Sequence, residues 1–191
     1  MASARWTALL AGGLLLGGTL RAQQYEPATL GLQVRGSLPF SGLKDAVGGG
    51  LPGLGAGLVM EDDFLEGYRG RVEMGADQWF KGKLDNLPGM KGGVSSFHLG
   101  IEGVRLLRPY GDSPLLGPYV VAGLGMYAWS VTREDTVLNT SATRRVTHAG
   151  ATFGFGWRLT GHLDVEIKAL AGVVDPDFTA AALLGAATFR Y

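Results

Sequence analysis

The sequence predicts an all-β chain, an eight-stranded antiparallel up-and-down transmembrane β-barrel. Three observations carry that expectation. The chain divides into eight segments in which residue character alternates with the period of two that a strand imposes. Across the eight segments one alternating set is nearly free of charge, while the other sets, taken together, carry charges of both signs. No stretch supplies the roughly 20 consecutive apolar residues of a spanning helix, which leaves a closed barrel as the structure able to satisfy its backbone in lipid.

The first segment, Thr29 to Leu38, sets Leu30, Leu32 and Val34 against Gly31, Gln33 and Arg35. The second, Leu51 to Met60, alternates Leu54, Ala56, Leu58 and Met60 with three glycines and Val59. The third, Gly67 to Phe80, is the clearest. Gly70, Val72, Met74 and Ala76 occupy one face, and Arg69, Arg71, Glu73 and Asp77 the other. A helix would scatter these charges around its circumference; a strand collects them. In the fourth, Val94 to Leu106, Phe97, Leu99 and Ile101 oppose His98, Gly100 and Glu102.

The fifth, Gly117 to Val131, alternates Val120, Ala122, Leu124 and Met126 with Tyr119, Val121, Gly123, Gly125 and Tyr127. The sixth, Val146 to Leu159, opposes Ala151, Phe153, Phe155 and Trp157 to Thr152, Gly154, Gly156 and Arg158. The seventh, Leu163 to Val173, opposes Val165, Ile167 and Ala169 to Asp164, Glu166 and Lys168. The eighth, Ala181 to Tyr191, has one face ending in Phe189 and Tyr191 and one ending in Arg190.

Composition narrows the function classes. Lys+Arg and Asp+Glu balance at 17 each, so net charge gives no argument for a nucleic-acid partner. The absence of cysteine removes disulfides and thiolate metal sites. The 32 glycines follow no collagen-like period and suit crowded sheets. Arg5 and the uncharged run Ala8 to Leu20, followed by Ala22, read as a cleaved Sec-type signal peptide over residues 1–22, with a barrel domain over 23–191.

Short breaks at Glu61–Glu66 and Thr160–His162 alternate with longer ones at Pro39–Gly50, Lys81–Gly93 and Thr132–Arg145. Membrane barrels have short periplasmic turns and long outer loops, so both termini are expected to be periplasmic. Leu107–Leu116 is long for such a turn, and Asp175–Thr179 short for an outer loop. The charged face is assigned to the lumen. Arg35, Arg69, Arg71, Glu73, Glu102, Arg158, Asp164, Glu166, Lys168 and Arg190 are expected to pair there, since an eight-strand barrel is just wide enough for side chains to fill. Tyr68, Trp79, Phe80, Trp129, Trp157, Phe189 and Tyr191 are expected in interfacial girdles.

The run Gly117-Pro118-Tyr119 to Tyr127, with its later Gly123 and Gly125, together with Gly154-Phe155-Gly156 and the terminal Phe189-Arg190-Tyr191, resembles the bacterial outer-membrane β-barrel family that includes the OmpA transmembrane domain, OmpX and OmpW. The resemblance spans nearly all of the chain after the signal peptide, but its motifs are loose. It implies a place in the cell outer membrane of a Gram-negative-type bacterium. It also implies that Phe189 and Tyr191 form the C-terminal signal read by the barrel-assembly machinery. Architecture of this kind serves many functions.

Other chemistry is sparse. The run Gly48 to Gly57 lacks the following helix and acidic residue that a dinucleotide loop needs, and reads as a loop entering a small-residue strand. His98, His148 and His162 stand apart from any metal-ligand spacing. Ser96, His98 and Glu102 share one face of the fourth segment, the one arrangement resembling a hydrolase of lipid acyl chains, yet that face is the lumen face. The loop Thr132–Arg145 is polar and reads as solvated.

The expected function is therefore a small non-enzymatic outer-membrane barrel with a structural or surface-interaction role and no cofactor or metal. Its expected partners are outer-membrane lipids and the assembly machinery, with no nucleic acid and an unspecified extracellular ligand. Three alternatives stay open: a narrow porin-like channel for small or apolar solutes, a lipid-modifying enzyme, and a secreted soluble ligand-binding barrel. A soluble barrel would line its cavity with the apolar face instead.

Overall fold

The computed structural model describes residues 28–65, 67–107, 116–175 and 178–191, without the side chains of 174, 175 and 178. The proposed signal peptide and most of the break at Leu107–Leu116 lie outside the described residues. Eight strands form one closed barrel in sequence order: β1 (Thr29–Phe40), β2 (Gly53–Leu65), β3 (Tyr68–Lys83), β4 (Met90–Leu106), β5 (Gly117–Asp135), β6 (Thr140–Thr160), β7 (Leu163–Asp175) and β8 (Phe178–Arg190). Every neighbouring pair is antiparallel, and β1 closes the ring on β8 from Gly31–Arg190 to Phe40–Ala181. Closure removes the free edges that an open sheet of this size would carry through the apolar belt.

The alternation dictates which side faces in. Along β3, Arg69, Arg71, Glu73, Asp77 and Trp79 are buried, while Val72, Met74 and Phe80 are exposed on the outer wall. Leu30, Leu32, Ile101, Leu124, Phe155 and Ile167 continue that outer apolar belt around the ring. This is the inverse of a soluble barrel. A charged interior beneath an apolar exterior is stable in lipid and would expose a continuous apolar band in water.

The strands run further than their alternation indicated. β5 and β6 form a ladder up to Asp135–Thr140, so most of the expected loop Thr132–Arg145 is strand. The tip is a four-residue turn in which the Asp135 carboxylate accepts from the N–H groups of Val137 and Leu138, at 2.9 and 3.0 Å. Above the belt both faces of the hairpin meet water, so the polarity contrast disappears although the hydrogen bonding continues. β3 and β4 are similarly extended, pairing as far as Lys83–Lys91.

One element has no counterpart in the sequence reading. Within the break Pro39–Gly50, Ser41–Val47 form a helix, α1. Its Leu43 and Val47, four apart and so on one face, are fully buried in the barrel mouth. Gly48 ends it with φ 71°. A Cβ on Gly82 would stand 2.0 Å from the Gly48 carbonyl oxygen, and one on Gly92 would stand 2.0 Å from that of Ala46. Glycine at these two points lets α1 lie directly on the β3 and β4 backbones.

Candidate functional site: the filled lumen

The lumen contains two stacked layers. Nearer the end with the short turns is an ionic layer. Among the described residues its buried charges are six cations (Arg35, Arg69, Arg71, Arg158, Lys168, Arg190) and six carboxylates (Glu61, Glu73, Asp77, Glu102, Asp164, Glu166), an exact balance in number. Glu61 is its hub: its carboxylate lies 2.9 Å from Arg69, 3.2 Å from Arg71, 2.7 Å from Arg158 and 2.8 Å from Arg190. Asp164 shares Arg158 at 3.2 Å and also pairs with Arg190. These contacts tie β2, β3, β6, β7 and β8 together.

Glu166 forms the next level. Arg71 donates to it at 2.8 Å, the Tyr119 hydroxyl at 2.9 Å and the Gln33 amide at 3.0 Å. Lys168 reaches Glu73, and also Glu102 at 3.1 Å, whose other partners are Arg71 at 3.4 Å and the Thr152 hydroxyl at 2.9 Å. Arg35 completes the layer with Glu73 and with Asp77 at 3.1 Å. Isolated charges in such a place would be severely penalised; nearly every lone pair here has a cationic or hydroxyl partner.

Above this lies an apolar layer. Trp79 and Trp129 stack with ring centroids 5.8 Å apart, Tyr127 stacks on Trp129 at 5.8 Å, and His98 on Tyr127 at 5.1 Å. Leu43 and Val47 of α1 pack on this stack with Val94, Leu170 and Leu184. Small residues on the inner wall make room for the large ones. A Cβ on Gly156 would stand 2.1 Å from Tyr119 Cζ, and one on Gly75 would stand 2.2 Å from an Arg35 guanidinium nitrogen.

The residues expected in the lumen pair, Arg35, Arg69, Arg71, Glu73, Glu102, Arg158, Glu166, Lys168 and Arg190, are all brought together here. Contributors outside the expected network are Gln33 and Thr152, which donate to Glu166 and Glu102, and also Glu61, Asp77 and Tyr119. Glu61 was assigned to a turn, although its parity with Gly57 and Val59 places it inside. Asp77 was on the correct face but outside the proposed network. Tyr119 supplies a hydroxyl and also lies 5.6 Å below the Arg71 guanidinium. Trp79 and Trp129 correct the girdle assignment. They share parity with Asp77 and Tyr127, and both are buried in the lumen. Phe80, Trp157, Phe189 and Tyr191 are exposed on the outer wall.

Ser96, His98 and Glu102 do not form a nucleophilic relay. His98 Nε2 lies 3.0 Å from Arg35 and 3.1 Å from Glu73, while Glu102 is held by Lys168, Arg71 and Thr152. Ser96 is buried on the inner wall. The Ser96 hydroxyl makes no hydrogen bond among the described residues, to His98 or to any other group.

No family model matches the chain, and no curated protein matches it in sequence. Solved structures do match. Ail, the attachment invasion locus protein of Yersinia pestis, superposes with a TM-score of 0.59 at 10% identity, covering 86% of this chain and 97% of Ail. Neisserial surface protein A gives 0.52 at 10% identity, covering 88% of this chain and 100% of that one. This chain has the fold of small outer-membrane β-barrels. At such identities the shared property is that fold, a closed ring of eight antiparallel strands. The barrel's occupied interior and its raised hairpins come from its own residues.

Proposed function

We propose that this protein is a closed outer-membrane barrel with a structural and surface-contact role, acting neither as a conduit nor as a lipid hydrolase. The filling of the lumen by complementary charges, stacked aromatics and α1 carries this reading. In this role the ionic layer is a pin that fixes the eight strands, and Phe189 and Tyr191 serve the assembly machinery during insertion. The long hairpins face outside and both termini face the periplasm, in keeping with the short-turn and long-loop ends of such barrels.

The contact surface is the raised sheet of β3 to β6. Its two hairpin tips are joined, since Thr136 donates to the Gly89 carbonyl through both its N–H at 2.8 Å and its hydroxyl at 2.6 Å. Val137 and Leu138 stand 80% and 71% exposed at the tip. Among the described residues β6 pairs with β7 only from Gly150 onward, so Thr140 to Ala149 present a strand edge, of which Thr140 to Arg145 stand above the belt. Unpaired N–H and C=O groups of this kind receive an extended strand from a partner. Ail has been solved with the heparin analogue sucrose octasulfate. Here Lys83, Lys91 and Arg133 near the tips make a sulfated polysaccharide a second candidate ligand.

Two measurements test this. The purified barrel in planar bilayers is expected to give no steady conductance; a stable single-channel current would overturn the closed-barrel reading. Cells displaying the protein are expected to bind an extracellular partner through the β5–β6 hairpin, with loss on shortening it to a Val131–Arg144 closure. Release of fatty acid from lipopolysaccharide, abolished by Ser96→Ala, would overturn the non-enzymatic reading.

A further inference from the structure

Below the raised hairpins, four outward side chains on the wall form a polar row. Gln78 lies opposite Ser95, Ser95 opposite Ser130, and Ser130 opposite Arg145, across β3 to β6. Two residues nearer the short-turn end, the corresponding row is Ala76, Phe97, Ala128 and Thr147. On β3 to β5 the outer wall therefore turns from apolar to polar between these rows. A furrow of about 590 Å³ crosses this change, with Ala56, Ala76 and Phe97 in its apolar half and Gln78, Ser95 and Ser130, flanked by Leu54, in its upper half. The furrow arises from side-chain size. Ala56, Ala76 and Ala128 line it where Leu58, Met74 and Met126 follow one outward position further down.

The charges above the furrow are unequal. Lys81 passes over Gly93 to reach Glu134 at 2.9 Å, and Lys91 lies opposite that same Glu134 in the ladder. Arg145, beside Ser130, has no ion-pair partner among the described residues. Lys81 and Lys91 thus share one carboxylate, and Arg145 has none among the described residues. Lys91 and Arg145 are two strands apart and four residues offset along them, about 16 Å in all, a spacing that addresses two anionic groups better than one.

We propose that this furrow holds one molecule of a phosphorylated, multiply acylated saccharolipid of the outer leaflet, of the lipid A class. An acyl chain lies along Ala56, Ala76 and Ala128, the sugar hydroxyls meet Gln78, Ser95 and Ser130, and the phosphates meet Lys91 and Arg145. This rests on the hairpin end facing outside. A glycerophospholipid offers a single phosphate and lacks the sugar hydroxyls, so it matches less of the surface.

The detergent-purified full barrel is offered lipid A, dephosphorylated lipid A or phosphatidylglycerol, and retained lipid is counted by native mass spectrometry. One lipid A per barrel is expected, with retention at least tenfold weaker for the other two. Lys91→Gln with Arg145→Gln is expected to lower lipid A retention about tenfold through the headgroup. Ala128→Trp is expected to lower it through the acyl trough, and both variants keep heat-modifiable gel mobility. Equal retention of phosphatidylglycerol, or unchanged lipid A retention in the two variants, overturns the proposal. Labelling of Ser141→Cys from outside intact cells reports the orientation separately, so a failure of that reading is distinguished from a failure of the lipid site.

Discussion

Arg71 on β3 and Glu166 on β7 meet at 2.8 Å across the full width of the barrel. Three strands lie between them in either direction around the ring, so this pair braces opposite walls. Arg71 is fully buried and also contacts Glu61 and Glu102. Removing it leaves three carboxylates facing a water-poor interior. Arg71→Ala is expected to destabilise the folded barrel by about 3–5 kcal/mol, read by denaturant unfolding in detergent. Arg71→Met with Glu166→Gln removes one charge of each sign and is expected to recover part of that loss. Equal damage from both variants would show that packing volume, rather than charge balance, holds the walls.

Gly156 and Tyr119 make a steric pair, because a Cβ at 156 would enter the Tyr119 ring. Gly156→Ala is expected to cost about 1–3 kcal/mol through overpacking. In a Tyr119→Ala background the same change is expected to cost measurably less, a coupling of about 0.5–3 kcal/mol in a double-mutant cycle. Additive effects would mean that the ring moves aside freely.

The aromatic layer and the ionic layer close the lumen independently. Trp129→Ala is expected to cost about 3–5 kcal/mol by leaving a cavity among Trp79, Tyr127 and Val94. Conductance in planar bilayers is expected to stay at baseline, because the ionic layer beneath remains intact. Current appearing in Trp129→Ala alone would place the whole seal in the aromatic layer.

Glu134 lies above the lipid belt, where the hydrogen bond from Lys81 holds its carboxyl below the usual carboxylate range. A carboxyl whose pKa is depressed on folding stabilises at pH values above its unfolded range, and that contribution fades as pH falls through the depressed value. The pair is exposed, so its effect is small and salt-sensitive. An NMR titration is expected to show Glu134 returning toward the ordinary range in Lys81→Ala.

Much of this architecture was legible in the alternation. The outward Val72 and Met74, the inward Arg71 and Glu73, and the equivalent sets on seven other strands follow from parity alone, because a one-residue slip would move every charge into lipid. Parity also placed Glu61, Trp79 and Trp129 inside, but polarity was allowed to outweigh it. Glu61 looked like a turn residue, and tryptophan looked interfacial. Helix α1 gave too short a signal, with only Leu43 and Val47 to mark a face. The hairpin above the belt lost its signature because water on both sides erases the contrast between faces.

By itself the sequence determined the strand count, the lipid face and the inventory of charges destined for the interior, since these depend only on which side of one strand each residue occupies. The tertiary structure decided which charges meet: Lys168 with Glu73 across the ring, and four arginines on the single Glu61. It also decided that α1 and the two stacked tryptophans occupy the mouth. Those outcomes depend on strand tilt and ring closure, which set distances between residues up to 161 positions apart, and no local pattern in the chain encodes such distances.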